Sequence, residues 1–178
     1  MMSEKKKLLG EERRTKLLSI LKLSDTPVTG SELSRVANVS RQVIVGDITL
    51  LKAKKEPIIA TSQGYLYLQK ESPQNAERII ACKHTPERAS EEMNLLVDTG
   101  CTIKDVKIEH PVYGDLTASI MVSNRNEIKH FLEKIAHTNS AFLSVLTDGI
   151  HLHTITANTE KQLDEAEAAL KDADFLVE

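Results

Sequence analysis

Residues 70–75 read Lys-Glu-Ser-Pro-Gln-Asn, a polar stretch with a proline and no hydrophobic period, and the chain differs in kind on its two sides. Before it, apolar residues recur at helical spacing. After it, short β-branched runs alternate with helical patterns. Charge divides at the same place. Residues 1–70 hold 13 Lys and Arg against 7 Asp and Glu, whereas residues 71–178 hold 10 against 19. A break of this kind in 178 residues implies two small domains rather than one core: residues 8–70, a linker at 71–76, and residues 77–178. The basic part suits a phosphate-bearing partner and the acidic part does not.

No apolar run approaches the about 20 residues that span a bilayer, so no membrane association is expected. The start, Met1 to Lys7, is basic, but only Leu8 and Leu9 follow before charge returns, which is not a signal-peptide pattern. Two cysteines, Cys82 and Cys101, without CxxC spacing fit a reducing bacterial cytoplasm.

Within the first part, Leu17, Leu18 and Leu21 predict a helix over residues 11–23, ended by Asp25-Thr26-Pro27. Thr29 and Glu32 have capping-box spacing for a second helix that turns inward Leu33, Val36 and Ala37. Asn38-Val39 turns the chain and Ser40 caps a third helix. Its stripe is Ile44, Ile48 and Leu51, with Arg41, Gln42 and Asp47 off it. Residues 57–61 and 65–68 read as two strands joined at Ser62-Gln63-Gly64, with Gly64 supplying a positive φ. Two short helices, a tight turn and a third helix are the helix-turn-helix layout, and the hairpin is a wing. In that layout the second helix braces the third, whose first turn enters a major groove. Arg41 can then donate twice to guanine and Gln42 can address adenine.

The stretch from Val28 to Tyr67 resembles the winged helix at the amino terminus of biotin-operon-type repressors. The resemblance implies a DNA face made of Ser40, Arg41, Gln42, Val43 and Lys52 on the third helix and Gln63 and Tyr65 on the wing. Gly46 and Val43 stand where such proteins usually carry more polar side chains.

In the second part, strands are expected at residues 78–84, 102–110, 116–122, 142–146, 150–156 and 175–177. Helices are expected from Thr85-Pro86 to Gly100, over the stretch with Ile128, Phe131, Leu132 and Ile135, and at about 159–172. Such an order implies an α+β fold, with helices on a largely antiparallel sheet. Among these residues His84, Glu92, His151 and His153 stand out. His151 and His153 share a strand face, about 6.8 Å apart at Cα. Glu92 lies two helical turns past His84. Three imidazoles and a carboxylate suit a borderline divalent ion, Zn, Ni, Fe or Mn. Taken alone, an H-x-H strand is more often a half-exposed pair than a metal site. Glu91 competes with Glu92, and Cys82 is an alternative fourth ligand. His130 and His137 read as solvated.

The segments beginning at Lys83-His84-Thr85-Pro86, Val106 to Leu116 and Leu146 to Ile155 resemble the three blocks of the three-histidine domain. That domain accompanies this winged helix in niacin-responsive repressors of NAD biosynthesis. The resemblance implies one metal ion per chain, held by His84, Glu92, His151 and His153, and an effector pocket that includes His110 and Tyr113. The implied effector is nicotinic acid, or nicotinamide, acting as co-repressor. The implied DNA partner is a palindromic operator bound by a homodimer. A hairpin histidine bonded to its own loop is an equal reading of His110. Two other functions stay open beside the non-enzymatic one: a metal-dependent enzyme, although no acid or base is spare beyond the ligands, and a structural metal that only supports dimerisation. A biotin-ligase domain needs more than the remaining residues.

Overall fold

In the computed structural model, which describes residues 9–68 and 75–177, the chain forms two compact units, Met1–Glu71 and Ser72–Glu178. The basic start and residues 71–74 of the expected linker lie outside the described residues.

The first unit is three helices and a hairpin: α1 (Gly10–Leu23), α2 (Gly30–Ala37), α3 (Arg41–Ala53), β1 (Ile58–Thr61) and β2 (Gly64–Tyr67). Thr29 and Glu32 make the capping box on α2. Asn38 ends that helix in the left-handed region at φ 52°, and the Ser40 hydroxyl accepts from the Val43 N–H to start α3. Leu17, Leu21, Leu33, Ile44, Ile48, Leu51 and Ile58 form the core, each contributing about 1.5–3 kcal/mol on burial. Val36, expected inward, is exposed. Asp47, off the apolar stripe, is nevertheless buried: Arg13 reaches it from α1 at 2.5 Å and Arg14 at 3.4 Å. A carboxylate can be taken out of water here because two guanidiniums meet it. At Gly64 (φ 141°) close approach matters more than turn geometry, since a Cβ there would lie 2.5 Å from the Val28 carbonyl oxygen. That approach lets Val28 pair with Tyr65 and adds a third strand position to the wing.

The second unit contains β3 (Ala76–Lys83), α4 (Ala89–Asp98), β4 (Thr102–His110), β5 (Gly114–Val122), α5 (Arg125–His137), β6 (Ile150–Ala157) and α6 (Glu160–Asp172). Its fold is the expected α+β: an antiparallel sheet in the order β3-β6-β4-β5. One sheet face packs through Ile80, Ile103, Ile120, Val122 and Ile155 against Met93 and Leu96 of α4, Ile128 of α5, and Leu163 and Leu170 of α6.

Three local expectations are corrected. Residues 142–146 are not a strand, because Leu143–Thr147 is a 3-10 helix; β6, the strand that follows it, already has β3 and β4 on its two edges and offers it no pairing. Residues 175–177 contribute one bridge, Leu176 to Cys82, rather than a strand. Thr85 does not cap its helix; a 3-10 turn at Pro86–Arg88 precedes α4.

Candidate metal centre and DNA-binding face

The sheet register sets the candidate centre. Cys82 on β3 lies directly across from His151 on β6, and His153 lies across from Ile80 and from Val106 on β4. Paired residues share a face, so Cys82, His151 and His153 point toward the helices. His84 follows β3 by one residue. Glu92 comes down from the first turn of α4 and is 1 % exposed.

Three imidazoles converge on that one carboxylate. Nε2 of His84 lies 2.8 Å from Glu92 Oε2, Nε2 of His153 3.3 Å from the same oxygen, and Nε2 of His151 3.2 Å from Oε1. On the far side of each ring, Nδ1 meets a backbone carbonyl: Thr85 at 2.7 Å for His84, Gly149 at 2.8 Å for His151, and Asp105 at 2.7 Å for His153. A carbonyl only accepts, so each Nδ1 carries the proton and donates. Each neutral ring therefore turns an Nε2 lone pair toward carboxylate oxygens, which is repulsive unless a cation or proton lies between. Protonating all three rings would bury three positive charges around one negative charge. One divalent cation meets all three nitrogens and the carboxylate with less charge to bury, so the donor set fits a metal ion.

The electrostatics run the same way. Burial works to lower the pKa of His84, but hydrogen bonding and charge from Glu92 more than offset it and raise it above 6.5. His153 is raised against burial for the same reason. Glu92 is held well below 4.5 by His153, His151 and His84, although its burial acts in the opposite direction.

Of the other named residues, Glu91 is exposed and paired with Arg88, so it does not join the cluster. His110 and Tyr113 sit at the β4–β5 hairpin. The His110 Nδ1 accepts from the Val112 and Tyr113 N–H groups at 3.2 and 3.3 Å, and the Tyr113 ring lies 5.1 Å from its own. Tyr113 is 75 % exposed. His130 and His137 are exposed on α5. In the first unit, Arg41, Gln42 and Lys52 are exposed on α3 and Ser40 caps it, while Val43 is half-buried. Gln63 is at the hairpin turn, and Tyr65 packs on the core. The Arg41 side chain lies along Gly30, beside the Tyr65 ring. No Cβ on Gly46 would meet anything within 4 Å.

Sequence reasoning missed the parts that hold the rings. Gly149 (φ 88°) brings its strand so close that a Cβ would overlap the His84 carbonyl oxygen. The sequence signal was a glycine entering a strand, which marks close backbone approach. Phe175 meets the His84 ring edge-to-face at 5.4 Å, with the Arg88 guanidinium 4.0 Å from the centre of the Phe175 ring.

Two domain families match the chain. A helix-turn-helix domain matches residues 13–66 and a 3H domain matches residues 77–178. The chain is 60 % identical over 178 residues, 99 % of either chain, to the protein of Bacillus subtilis (strain 168) named transcription repressor NadR. It is 38 % identical over 172 residues, 97 % of either chain, to the Thermotoga maritima protein named probable transcription repressor NiaR. Transcription repressors are not enzymes. Among the described residues no helix is long and apolar enough to cross a membrane.

Proposed function

The chain belongs to the 3H-domain family of helix-turn-helix transcription repressors, and we propose that it represses genes of NAD synthesis and niacin uptake, with nicotinic acid as its co-repressor. As a repressor with a helix-turn-helix domain it binds operator DNA. On our reading the operator is palindromic and is bound by a homodimer, because one recognition helix reads only a few base pairs. Arg41 and Gln42, exposed in the first turn of α3, read bases. Ser40, Val43, Lys52, Gln63 and Tyr65 line or position the same face.

His84, Glu92, His151 and His153 would hold one divalent transition metal ion. When bound, the ion supplies a Lewis-acidic position that a pyridine nitrogen or a carboxylate can occupy. The observation that carries the reading is the trio of Nδ1 contacts to the carbonyls of Thr85, Gly149 and Asp105, which fix the ring tautomers and aim each Nε2 inward. The Thr85 and Gly149 carbonyls keep the His84 and His151 rings from rotating away. His110 and Tyr113 are assigned to the effector's surroundings. For nicotinic acid to tighten DNA binding, it must favour the DNA-competent arrangement of the protein.

Calorimetry on the metal-loaded chain tests the effector. Nicotinic acid is expected to bind with one site per chain and an unrelated pyridine not at all, with nicotinamide deciding whether the carboxylate is required. Equal heats for nicotinic acid and the unrelated pyridine overturn the assignment.

A further inference from the structure

Cys82 lies beside the ring cluster, on the side of Glu92 and His151. It is two residues before His84, which follows β3, and directly across from His151. Its side chain is fully buried. The Cys82 sulfur, a Glu92 oxygen and a His151 nitrogen all lie within 4.8 Å of one another. Two donors on one ion cannot be farther apart than the sum of their bond lengths, about 4.4 Å for a zinc-bound sulfur and nitrogen. That limit is the collinear arrangement; at a tetrahedral angle the two donors stand about 3.6 Å apart, so a contraction of up to about 1.2 Å brings the sulfur into a shared coordination sphere. The other cysteine, Cys101, is engaged elsewhere, between Thr99 and the Gln162 carbonyl.

We propose that Cys82 is a donor to the ion held by the histidine cluster, making the centre a mixed nitrogen, oxygen and sulfur site that selects thiophilic divalent ions. The inference rests on the metal reading of the cluster given above. Coordination replaces the Cys82 S–H bond with a sulfur–metal bond and releases the proton to solvent, with no change of oxidation state. A thiolate favours soft and borderline ions such as Zn²⁺, Co²⁺ and Cd²⁺, whereas Mn²⁺ and Mg²⁺ gain little from it. Without the sulfur, three nitrogens and a carboxylate would discriminate these ions less.

The test is titration of the chelator-stripped full chain with Co²⁺, followed by absorption. The expected spectrum has visible d–d bands together with a near-ultraviolet sulfur-to-cobalt charge-transfer band. In Cys82→Ala, and in the near-isosteric Cys82→Ser, the d–d bands remain and the charge-transfer band is lost. Competition should show Zn²⁺ affinity falling at least about tenfold in both variants, with Mn²⁺ affinity nearly unchanged. Visible bands without charge transfer in the unaltered protein overturn the sulfur donor and leave the histidine centre standing, a result that needs no variant to fold. A charge-transfer band that survives both substitutions also overturns it. No cobalt binding overturns this inference and the metal reading together.

Discussion

Glu92 is the residue on which the three imidazoles depend, and its surroundings make the metal-free centre sensitive to pH in two directions. His84 and His153 have pKa values raised above 6.5 through Glu92, so their contribution is complete below 6.5 and is lost as pH rises through the folded-state values. Glu92 is depressed below 4.5, so its contribution is present above 4.5 and is lost as pH falls through its folded-state value. Thermal melts of the chelated protein should therefore show this contribution greatest between pH 4.5 and 6.5 and falling toward alkaline pH. Metal-loaded protein should show the opposite alkaline trend, since protons compete with the ion for the same nitrogens. Gly149→Ala is expected to destabilise the second unit by about 2 kcal/mol or more, because its Cβ would strike the His84 carbonyl oxygen. Metal affinity should fall with it. Urea unfolding and metal titration of the variant measure both. At this scale the histidines stood out by residue type, while the choice of Glu92 over Glu91 rested on the resemblance to the three-histidine domain. The carbonyls that orient the rings were not legible, because any residue supplies a carbonyl and only the fold says which one a ring meets.

At the scale of elements, caps and apolar stripes carried most of the information. Thr29 with Glu32, and Thr159 with Gln162, close capping boxes at the starts of α2 and α6. The strand expected at 142–146 failed for a non-local reason: short apolar runs suit a strand or a helix, and the edges of β6 were already filled. The burial of Asp47 was not legible because its partners, Arg13 and Arg14, are more than 30 residues away in sequence. Replacing it with alanine leaves those guanidiniums without their shared carboxylate between α1 and α3. Asp47→Ala should cost about 3 kcal/mol, read by denaturant unfolding of the first unit, while metal affinity stays unchanged. Gly46→Ala is expected to act in the other direction. Its Cβ meets nothing, and alanine is favoured over glycine in a helix by about 1 kcal/mol. A fall in stability on that change would mean that the third helix is distorted there.

Over the whole molecule, composition alone turns from basic to acidic near residue 71, and the chain forms two compact units that divide at the same place. What the sequence does not contain is the coupling between them. Reading the chain as a co-repressed repressor requires that an event at the histidine cluster alter DNA affinity. Couplings of this kind are typically about 1–3 kcal/mol. The most direct measurement is fluorescence anisotropy of a labelled palindromic operator fragment, titrated with metal-loaded chain with and without saturating nicotinic acid. The expected result is operator binding at least about fivefold tighter with nicotinic acid, with the gain abolished in the His151→Ala/His153→Ala double variant. Operator affinity that does not change with nicotinic acid, or that changes equally in the double variant, would contradict a co-repressor role exerted through the histidine cluster.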